Sequence, residues 1–238
     1  MQLRTPLKWP AALSAGLTLL ALAGLALAES NRARELTRAA FQGNVKKVKE
    51  LLGQGLEVNA QTVCGQTALM SACEAGRKEA VKVLLAKGAK VNLQMQDGRT
   101  ALICAADGRE FGELVPLLLT LGADPELKGQ DRWTALWGVI SHRVEADPEE
   151  VRRVADLLLA EGADVDSRLE GGITPLMWSS KEGYQDLVEF LASKGADVNA
   201  VTEEGRSCLG LALDKNRHKI AEILEAKGAC LTKADLNH

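Results

Sequence analysis

Side chains that commonly perform catalysis or bind metals are few and scattered in this sequence of 238 residues. The three histidines, His142, His218 and His238, share no motif, whereas a triad or a metal site needs several such groups to converge. The motifs H-E-x-x-H, G-x-x-x-x-G-K-[ST], G-x-S-x-G and G-x-G-x-x-G are all absent from the sequence. We therefore predict a protein that is not an enzyme and holds no cofactor.

The cysteines do not form a metal-binding pattern. None of the five lies in C-x-x-C spacing, so zinc is not predicted. Cys73 and Cys104 fall on neighbouring repeat units and could approach each other, but their spacing does not decide whether they pair. The alternative is that these thiols are small buried apolar residues. The five are Cys64, Cys73, Cys104, Cys208 and Cys230.

The first 28 residues have the pattern of a secretory signal peptide. Arg4 and Lys8 precede an uncharged apolar run from Ala11 to Ala28, which ends in the small residues that signal peptidases require. We expect cleavage after Ala28 and an exported protein that is periplasmic or secreted. The alternative is an uncleaved anchor, because 18 residues is the lower limit for crossing a bilayer. The net charge of −3, with no block of like charge, argues against nucleic acid as a partner.

The elements that would position any binding residues are internal repeats. Six segments end in a pair of large apolar residues followed closely by glycine, the residue that favours the left-handed conformation beyond a helix. Successive glycines are 33, 34, 40, 33 and 33 residues apart. They are Gly55, Gly88, Gly122, Gly162, Gly195 and Gly228.

A second column of residues marks where a short Ala-rich helix begins in each segment. Its leucines are Leu36, Leu69, Leu102, Leu136, Leu176 and Leu209. From the second segment on, a hydroxyl residue precedes the leucine by two positions, where it can cap the helix. These residues are Thr67, Thr100, Thr134, Thr174 and Ser207.

Together the two columns resemble the ankyrin repeat, which has a period of 33 residues, a T-P-L-H-x-A start and a G-A-D-V-N-A end. The resemblance implies an all-α solenoid of about six helix-turn-helix repeats, joined by β-turn or hairpin-like loops. Thr174-Pro175-Leu176 is the one identical copy of the first three motif residues. The family's histidine is replaced, so we expect apolar packing there; its column contains Thr37, Met70, Ile103, Trp137, Met177 and Gly210.

The predicted organisation is a signal peptide over 1–28, an ankyrin repeat domain over 29–230 and a frayed polar tail over 231–238. The repeats are expected at about 32–61, 62–94, 95–128, 129–168, 169–201 and 202–230. The spacing of 40 indicates a seven-residue insertion in the fourth repeat, with Asp147 capping the helix that follows it. Pro116 is expected in the first turn of the third outer helix, where a proline costs little.

The candidate site comes from the resemblance, which implies binding through the concave face formed by turn tips and first helices. Trp133, Trp137 and Trp178 gather on neighbouring repeats, and tryptophan is enriched at binding hot spots. We expect Trp133 to be exposed, whereas Trp137 and Trp178 either bind a partner or fill gaps between repeats. The candidate protein-binding residues are Trp133, Trp137, Trp178, Ile173, Arg99, His142 and Arg206.

These features predict a non-enzymatic scaffold of an exported compartment that binds a partner protein through its concave face and is monomeric alone. One alternative is a structural or stabilising subunit of an exported enzyme, with a flat contact and no hot spot. A small-molecule or metal binder is disfavoured, since an open solenoid offers a groove and not an enclosed pocket. No membrane insertion is expected after signal cleavage.

Overall fold

The computed structural model describes residues 30–141 and 146–237. The predicted signal peptide and the candidate His142 lie outside the described residues. Within them, twelve α-helices form six consecutive pairs, so the predicted all-α architecture is confirmed. The helices are α1 (residues 30–41), α2 (Val45–Gly53), α3 (Ala68–Glu74), α4 (Lys78–Ala86), α5 (Ala101–Ala106), α6 (Phe111–Thr120), α7 (Ala135–Ser141), α8 (Pro148–Ala160), α9 (Pro175–Glu182), α10 (Gln185–Ser193), α11 (Cys208–Asp214) and α12 (His218–Ala226).

Each pair contributes one helix to an inner layer and one to an outer layer. In the inner layer α5 packs between α3 and α7, and α9 packs against α11; in the outer layer α2 packs on α4, α6 on α8 and α10 on α12. One continuous apolar core runs between the layers from Leu36 to Ala229. Because a single pair cannot bury its own apolar face, this stacking is what stabilises the fold.

From the second pair on, the inner helix begins at the predicted hydroxyl residue. The side chain of Thr100 accepts a hydrogen bond from the amide of Ile103, 3.2 Å away. Equivalent caps form at Thr67, Thr174 and Ser207. Thr134 is the exception, because its buried hydroxyl has no hydrogen-bond partner in the part of the chain that is described.

The outer helices end before the predicted glycines. Gly122 has a φ of +79°, with open space around the position that a Cβ would occupy. A side chain there is therefore disfavoured by the backbone conformation and not by crowding. Positive φ also occurs at Gly55, Gly88, Gly162, Gly195 and Gly228.

The loops between pairs are tight and hairpin-like, as predicted. In the turn of the third pair, the amide of Met95 donates to the carbonyl of Arg99 at 2.9 Å. The same closing bond recurs in the next three turns, at Gly129, Leu169 and Thr202. In the last of them it accompanies the isolated antiparallel bridge between Val201 and Ser207. Among the described residues this bridge is the sole β-structure, and short 3-10 helices lie at Gln130–Arg132, Glu170–Gly172 and Asp235–Asn237.

An asparagine at the end of a repeat is hydrogen-bonded to the next repeat. The amide group of Asn92 donates to the carbonyl of Gly122 at 2.9 Å, and its oxygen accepts from the amide of Asp124 at 2.9 Å. Asn59 and Asn199 form the same two bonds with the repeats that follow them. These side chains fix the spacing between neighbouring repeats.

On both sides of the fourth repeat a carboxylate takes this position. Glu126 accepts from the amide of Asp164 at 2.8 Å, and Asp166 accepts from the amide of Asp197 at 3.1 Å. A carboxylate has no proton to donate, so the bond to the carbonyl of the closing glycine is lost. Burial raises the pKa of the Asp166 carboxyl above its usual range, although the hydrogen bond from Asp197 acts in the opposite direction.

The insertion precedes a lengthened outer helix. Asp147 caps α8 by accepting from the amide of Glu149, and Pro148 is its first residue, as predicted. With 13 residues α8 is longer than the other outer helices, whose lengths are 9 or 10 residues.

The prediction for Pro116 is wrong. Helix α6 begins at Phe111, so Pro116 lies inside it and not in its first turn. A proline there removes the helical hydrogen bond to the carbonyl four residues earlier, which belongs to Gly112. A guanidinium N–H of Arg153 on α8 donates to that carbonyl instead, at 2.8 Å.

The residues after α12 are held in place, contrary to the expected fraying. The Asp235 carboxylate accepts from the hydroxyl of Ser207 at 2.6 Å, the guanidinium of Arg206 at 2.9 Å and the amide of Thr232 at 2.8 Å. Burial disfavours the charged form of this carboxyl, but these hydrogen bonds outweigh burial and hold its pKa well below the usual range. The segment covers the exposed end of the last repeat.

No helix in the described ranges is long and apolar enough to cross a membrane.

Candidate functional site

Trp137 lies in the core, which corrects its assignment as a candidate binding residue. Its side chain is 1% exposed, and its indole N–H donates to the carbonyl of Ser167 at 3.2 Å. Because Ser167 precedes the fifth repeat, the tryptophan fills the gap between α7 and the next repeat. It occupies the column where the family has histidine, and Met70, Ile103 and Met177 in that column are also buried. The expected apolar replacement is confirmed at these positions.

Trp133 is half-buried, not exposed as expected, and its orientation is fixed by a carboxylate. Its indole N–H donates to Oδ1 of Asp107 at 2.9 Å, while Oδ2 of Asp107 pairs with the Arg99 guanidinium at 2.9 Å. A Cβ at Gly138 would lie 2.7 Å from Oδ1 of Asp107. The absence of a side chain at Gly138 thus allows this three-residue network to form against α7.

Trp178 and Ile173 are half-buried and pack against the core. The ring of Trp178 meets that of Trp137 edge-on, with centroids 6.4 Å apart, and lies 5.3 Å from the ring of Tyr184. Trp133 lies on the other side of Trp137, at 6.1 Å. We call these four side chains, Trp133, Trp137, Trp178 and Tyr184, the aromatic row. The buried Trp137 supports the partly accessible rings of Trp133 and Trp178, and Trp178 in turn contacts the partly accessible ring of Tyr184.

Arg206 does not belong with the aromatic row. Its side chain is 11% exposed and is paired with Asp235 and with Asp214. Two carboxylates already neutralise its charge, so its role is to attach the C-terminal segment to the last repeat. The assignment of Arg206 as a binding residue is therefore corrected to a structural one.

The cysteines are all free, so Cys73 and Cys104 do not form a disulfide. Burial raises the pKa of the Cys104 and Cys208 thiols to about 12, and burial also raises that of Cys73. Cys64 is exposed, and a hydrogen bond with the Thr62 hydroxyl lowers the pKa of its thiol. No group of three or more His, Cys, Asp or Glu side chains among the described residues is arranged to hold a metal ion.

Two contributors to the site were missed from the sequence. Asp107 lies eight residues from Arg99 and 26 from Trp133, so no local motif connects them. Tyr184 is the last residue of the short loop between α9 and α10, so its contact with Trp178 depends on the conformation of that turn. Repeat register alone places Asp107 on the concave face, and Tyr184 is the single tyrosine in a chain poor in aromatic residues.

The aromatic row can bind a partner but offers no reacting group. Half-buried tryptophan and tyrosine rings provide apolar area with polar edges, the combination common at protein interfaces. The sequence model of ankyrin repeats matches the chain in three overlapping stretches, residues 36–129, 108–202 and 144–235. The chain belongs to the ankyrin repeat family. Ankyrin repeats generally mediate protein–protein interaction, and the family is typically non-enzymatic.

Solved structures with ankyrin repeats are similar to this chain. One is a chain from the Bd0816 predatory endopeptidase of Bdellovibrio bacteriovorus in complex with immunity protein Bd3460, at 27% identity and a TM-score of 0.70, covering 81% of this chain and 97% of that one. Another is the human ASB11 ankyrin repeat domain, at 26% identity and a TM-score of 0.68, covering 83% of this chain and 85% of that one. No curated protein matches the chain.

Proposed function

We propose that this ankyrin protein binds a folded partner protein through the concave face of repeats three to five, with the aromatic row at the centre of the contact. The observation that carries the proposal is that Trp133 and Trp178 remain partly accessible on the buried Trp137, with the partly accessible Tyr184 beside Trp178. Interface hot spots are enriched in tryptophan, tyrosine and arginine and are surrounded by groups that exclude water. Ile173 and the Arg99–Asp107 pair border the row.

The similar immunity protein supports a protein partner. In that structure a chain of the same repeat architecture is in complex with an endopeptidase. We infer that the partner of this chain is likewise a folded protein of an exported compartment, periplasmic or extracellular. The inference about the compartment depends on the apolar segment that ends at Ala28.

The export proposal is tested by the N-terminus of the protein isolated from the exporting cell. Intact mass should correspond to a chain that begins at Glu29. A membrane-bound product that retains residue 1 would mean that the segment is an anchor.

The binding proposal is tested with the partner isolated by cross-linking to the exported protein. Trp133→Ala should weaken its affinity by about 1 to 3 kcal/mol, the range of an interface hot spot. Glu203→Ala, at an exposed acidic turn in the last repeat, is the control and should change affinity little. Equal losses for the two variants would contradict a contact centred on the aromatic row.

A second candidate function is that of an accessory subunit of an exported enzyme, which the complex of an immunity protein with an endopeptidase favours. In that case the contact is broad, and no single substitution dominates the affinity. The two functions differ in a measurable way: an accessory subunit changes the enzyme's activity or its thermal stability, and Trp133→Ala alone does not remove that effect.

A further inference from the structure

The first helix carries an exposed stripe that the fold does not use. Arg34, Arg38 and Phe41 occur at positions i, i+4 and i+7 of α1, so they share one face. Phe41 is 47% exposed, a large exposure for an aromatic side chain. The backbone beneath it is held, because the carbonyl of Phe41 accepts from the guanidinium of Arg77 at 3.0 Å. The backbone that carries the exposed Phe41 ring is therefore fixed in position.

The turn of the second repeat forms the opposite wall of a groove. Thr62 and Cys64 lie on this turn, and Thr37 and Ser71 lie on the inner helices beneath it. The resulting space has a volume of about 560 Å³. We call it the first groove; it lies between the first two repeats, apart from the aromatic row.

The charges at the groove are unbalanced. Neither the Arg34 nor the Arg38 guanidinium forms a hydrogen bond or ion pair with any described residue. Glu35, the acidic neighbour in sequence, is paired with Lys47 on α2 at 3.2 Å. Glu74 also lines the groove, and its carboxylate accepts from the side-chain amide of Gln66 at 3.4 Å. Two unpaired cations therefore face a groove whose lining includes a single carboxylate, that of Glu74.

We propose that the first groove binds an acidic segment of the partner protein that carries one large apolar side chain. This inference rests on the proposed function and adds a second contact to it. Arginine pairs with carboxylates through two parallel hydrogen bonds, which suits Arg34 and Arg38 to flanking acidic residues. Phe41, 47% exposed, offers the apolar area against which the large side chain is buried. Arginine and aromatic residues together are the types enriched in binding hot spots.

The test uses a random dodecapeptide library, panned against the protein, as the probe. Enriched peptides should contain two or more acidic residues beside a Leu, Phe or Trp. The Kd of a synthetic enriched peptide should rise at least tenfold in the double variant Arg34→Glu/Arg38→Glu, and more salt should weaken the wild-type complex. Lys46→Glu/Lys49→Glu, the same change of charge on α2, is the matched control and should bind as the wild type does.

A thiol on the groove wall provides a second readout that does not depend on charge. In a Cys230→Ser background Cys64 is the sole exposed cysteine. Coupling a bulky maleimide to Cys64 should block the peptide, while a methylthio group should not. No enrichment, enriched peptides without acidic residues, or equal binding by the two double variants would overturn the proposal. Since the peptide assay needs no partner, its failure is separate from that of the Trp133→Ala experiment.

Discussion

The guanidinium of Arg153 donates a hydrogen bond of 2.8 Å to the carbonyl of Gly112. This carbonyl has no helical donor because residue 116 is proline. A Cβ at Gly112 would lie 1.8 Å from Oε1 of Glu150, so the start of α8 packs directly on this turn of α6. The pairing of Pro116 with Arg153 therefore joins the third repeat to the fourth.

Arg153→Ala should lower the free energy of unfolding by about 0.5 to 1.5 kcal/mol, because it leaves the carbonyl of Gly112 without a protein donor. Urea denaturation measures this. Arg152→Ala on the same helix is the control and should stay within about 0.5 kcal/mol of the wild type. In a Pro116→Ala background the helical donor returns, so Arg153→Ala should cost less. The same cost in both backgrounds would contradict the role assigned to Arg153.

Thr100→Val and Thr134→Val should have different effects, although the sequence places both residues at the same repeat position. Thr100 caps α5, so loss of its hydroxyl should cost about 1 kcal/mol. The Thr134 hydroxyl is buried without a partner among the described residues, so a methyl group of similar shape should be neutral or stabilising. Thermal unfolding of the two variants measures the difference. Equal destabilisation would show that Thr134 is also a cap.

Asp166→Asn should stabilise the protein by about 0.5 to 1.5 kcal/mol, because the amide can donate to the next repeat as Asn92 does. The folded-state pKa of Asp166 is raised. Ionisation of its carboxylate therefore lowers the free energy of unfolding as pH rises through the usual titration range of an aspartate. The advantage of the variant should therefore grow as pH rises above the unfolded-state pKa of about 3.9. Asp131→Asn removes the same charge at an exposed turn residue of the fourth repeat and should show no such growth.

Asp235→Asn should have the opposite effect and destabilise the last repeat. The folded-state pKa of Asp235 is lowered, so its contribution is full above the unfolded pKa of about 3.9 and is lost as pH falls below it. We expect the free energy of unfolding to fall by about 1 to 3 kcal/mol at pH 7. The buried donors of Ser207, Arg206 and Thr232 then lack the charged acceptor that Asp235 provides. The difference from wild type should shrink in urea titrations below pH 4. Asp214→Asn, whose carboxylate is more exposed, should cost less.

Two of the five thiols should react in the native protein and the other three only after unfolding. Cys64 and Cys230 are exposed, whereas Cys73, Cys104 and Cys208 are buried. A lowered pKa gives Cys64 more thiolate at neutral pH, and the thiolate is the nucleophile. Titration with a chromogenic disulfide, with and without urea, counts the thiols, and Cys64→Ser should remove one from the native count. Reaction of a third thiol without denaturant would show that the core opens readily.

The sequence was sufficient for the helix pairs, their caps and their closing glycines because these depend on residues within a few positions of each other. Thr100 and Ile103, or Gly122 and α6, illustrate such local rules. It was insufficient where partners are remote: Arg206 is paired with Asp235, 29 residues away, and Trp133 with Asp107, 26 residues away. The position in the repeat predicts the face on which such a side chain lies. It does not predict whether the side chain is already bonded to a carboxylate that is distant in the sequence.

The position of Pro116 was misjudged for a different reason. In the sequence, glycines mark where the outer helices end. No residue type marks the start of α6 at Phe111 in the same way. The same limitation applies to Arg34, Arg38 and Phe41, because no local pattern in α1 shows whether these side chains are paired or covered. Only the structure shows that Glu35 is paired with Lys47, which leaves the two arginines unneutralised.

The carboxylates at Glu126 and Asp166 also determine how the array responds to a pulling force. When a solenoid is pulled from its two ends, every junction between neighbouring repeats bears the same force. The junction with the fewest hydrogen bonds separates first. Each carboxylate removes one donor from the junction it occupies, and the two lie on opposite sides of the fourth repeat. Before the fourth repeat the bond from Arg153 to the carbonyl of Gly112 offsets this loss. Stretching should therefore separate the array after the fourth repeat first and leave two shorter stacks, each still held together by its asparagines.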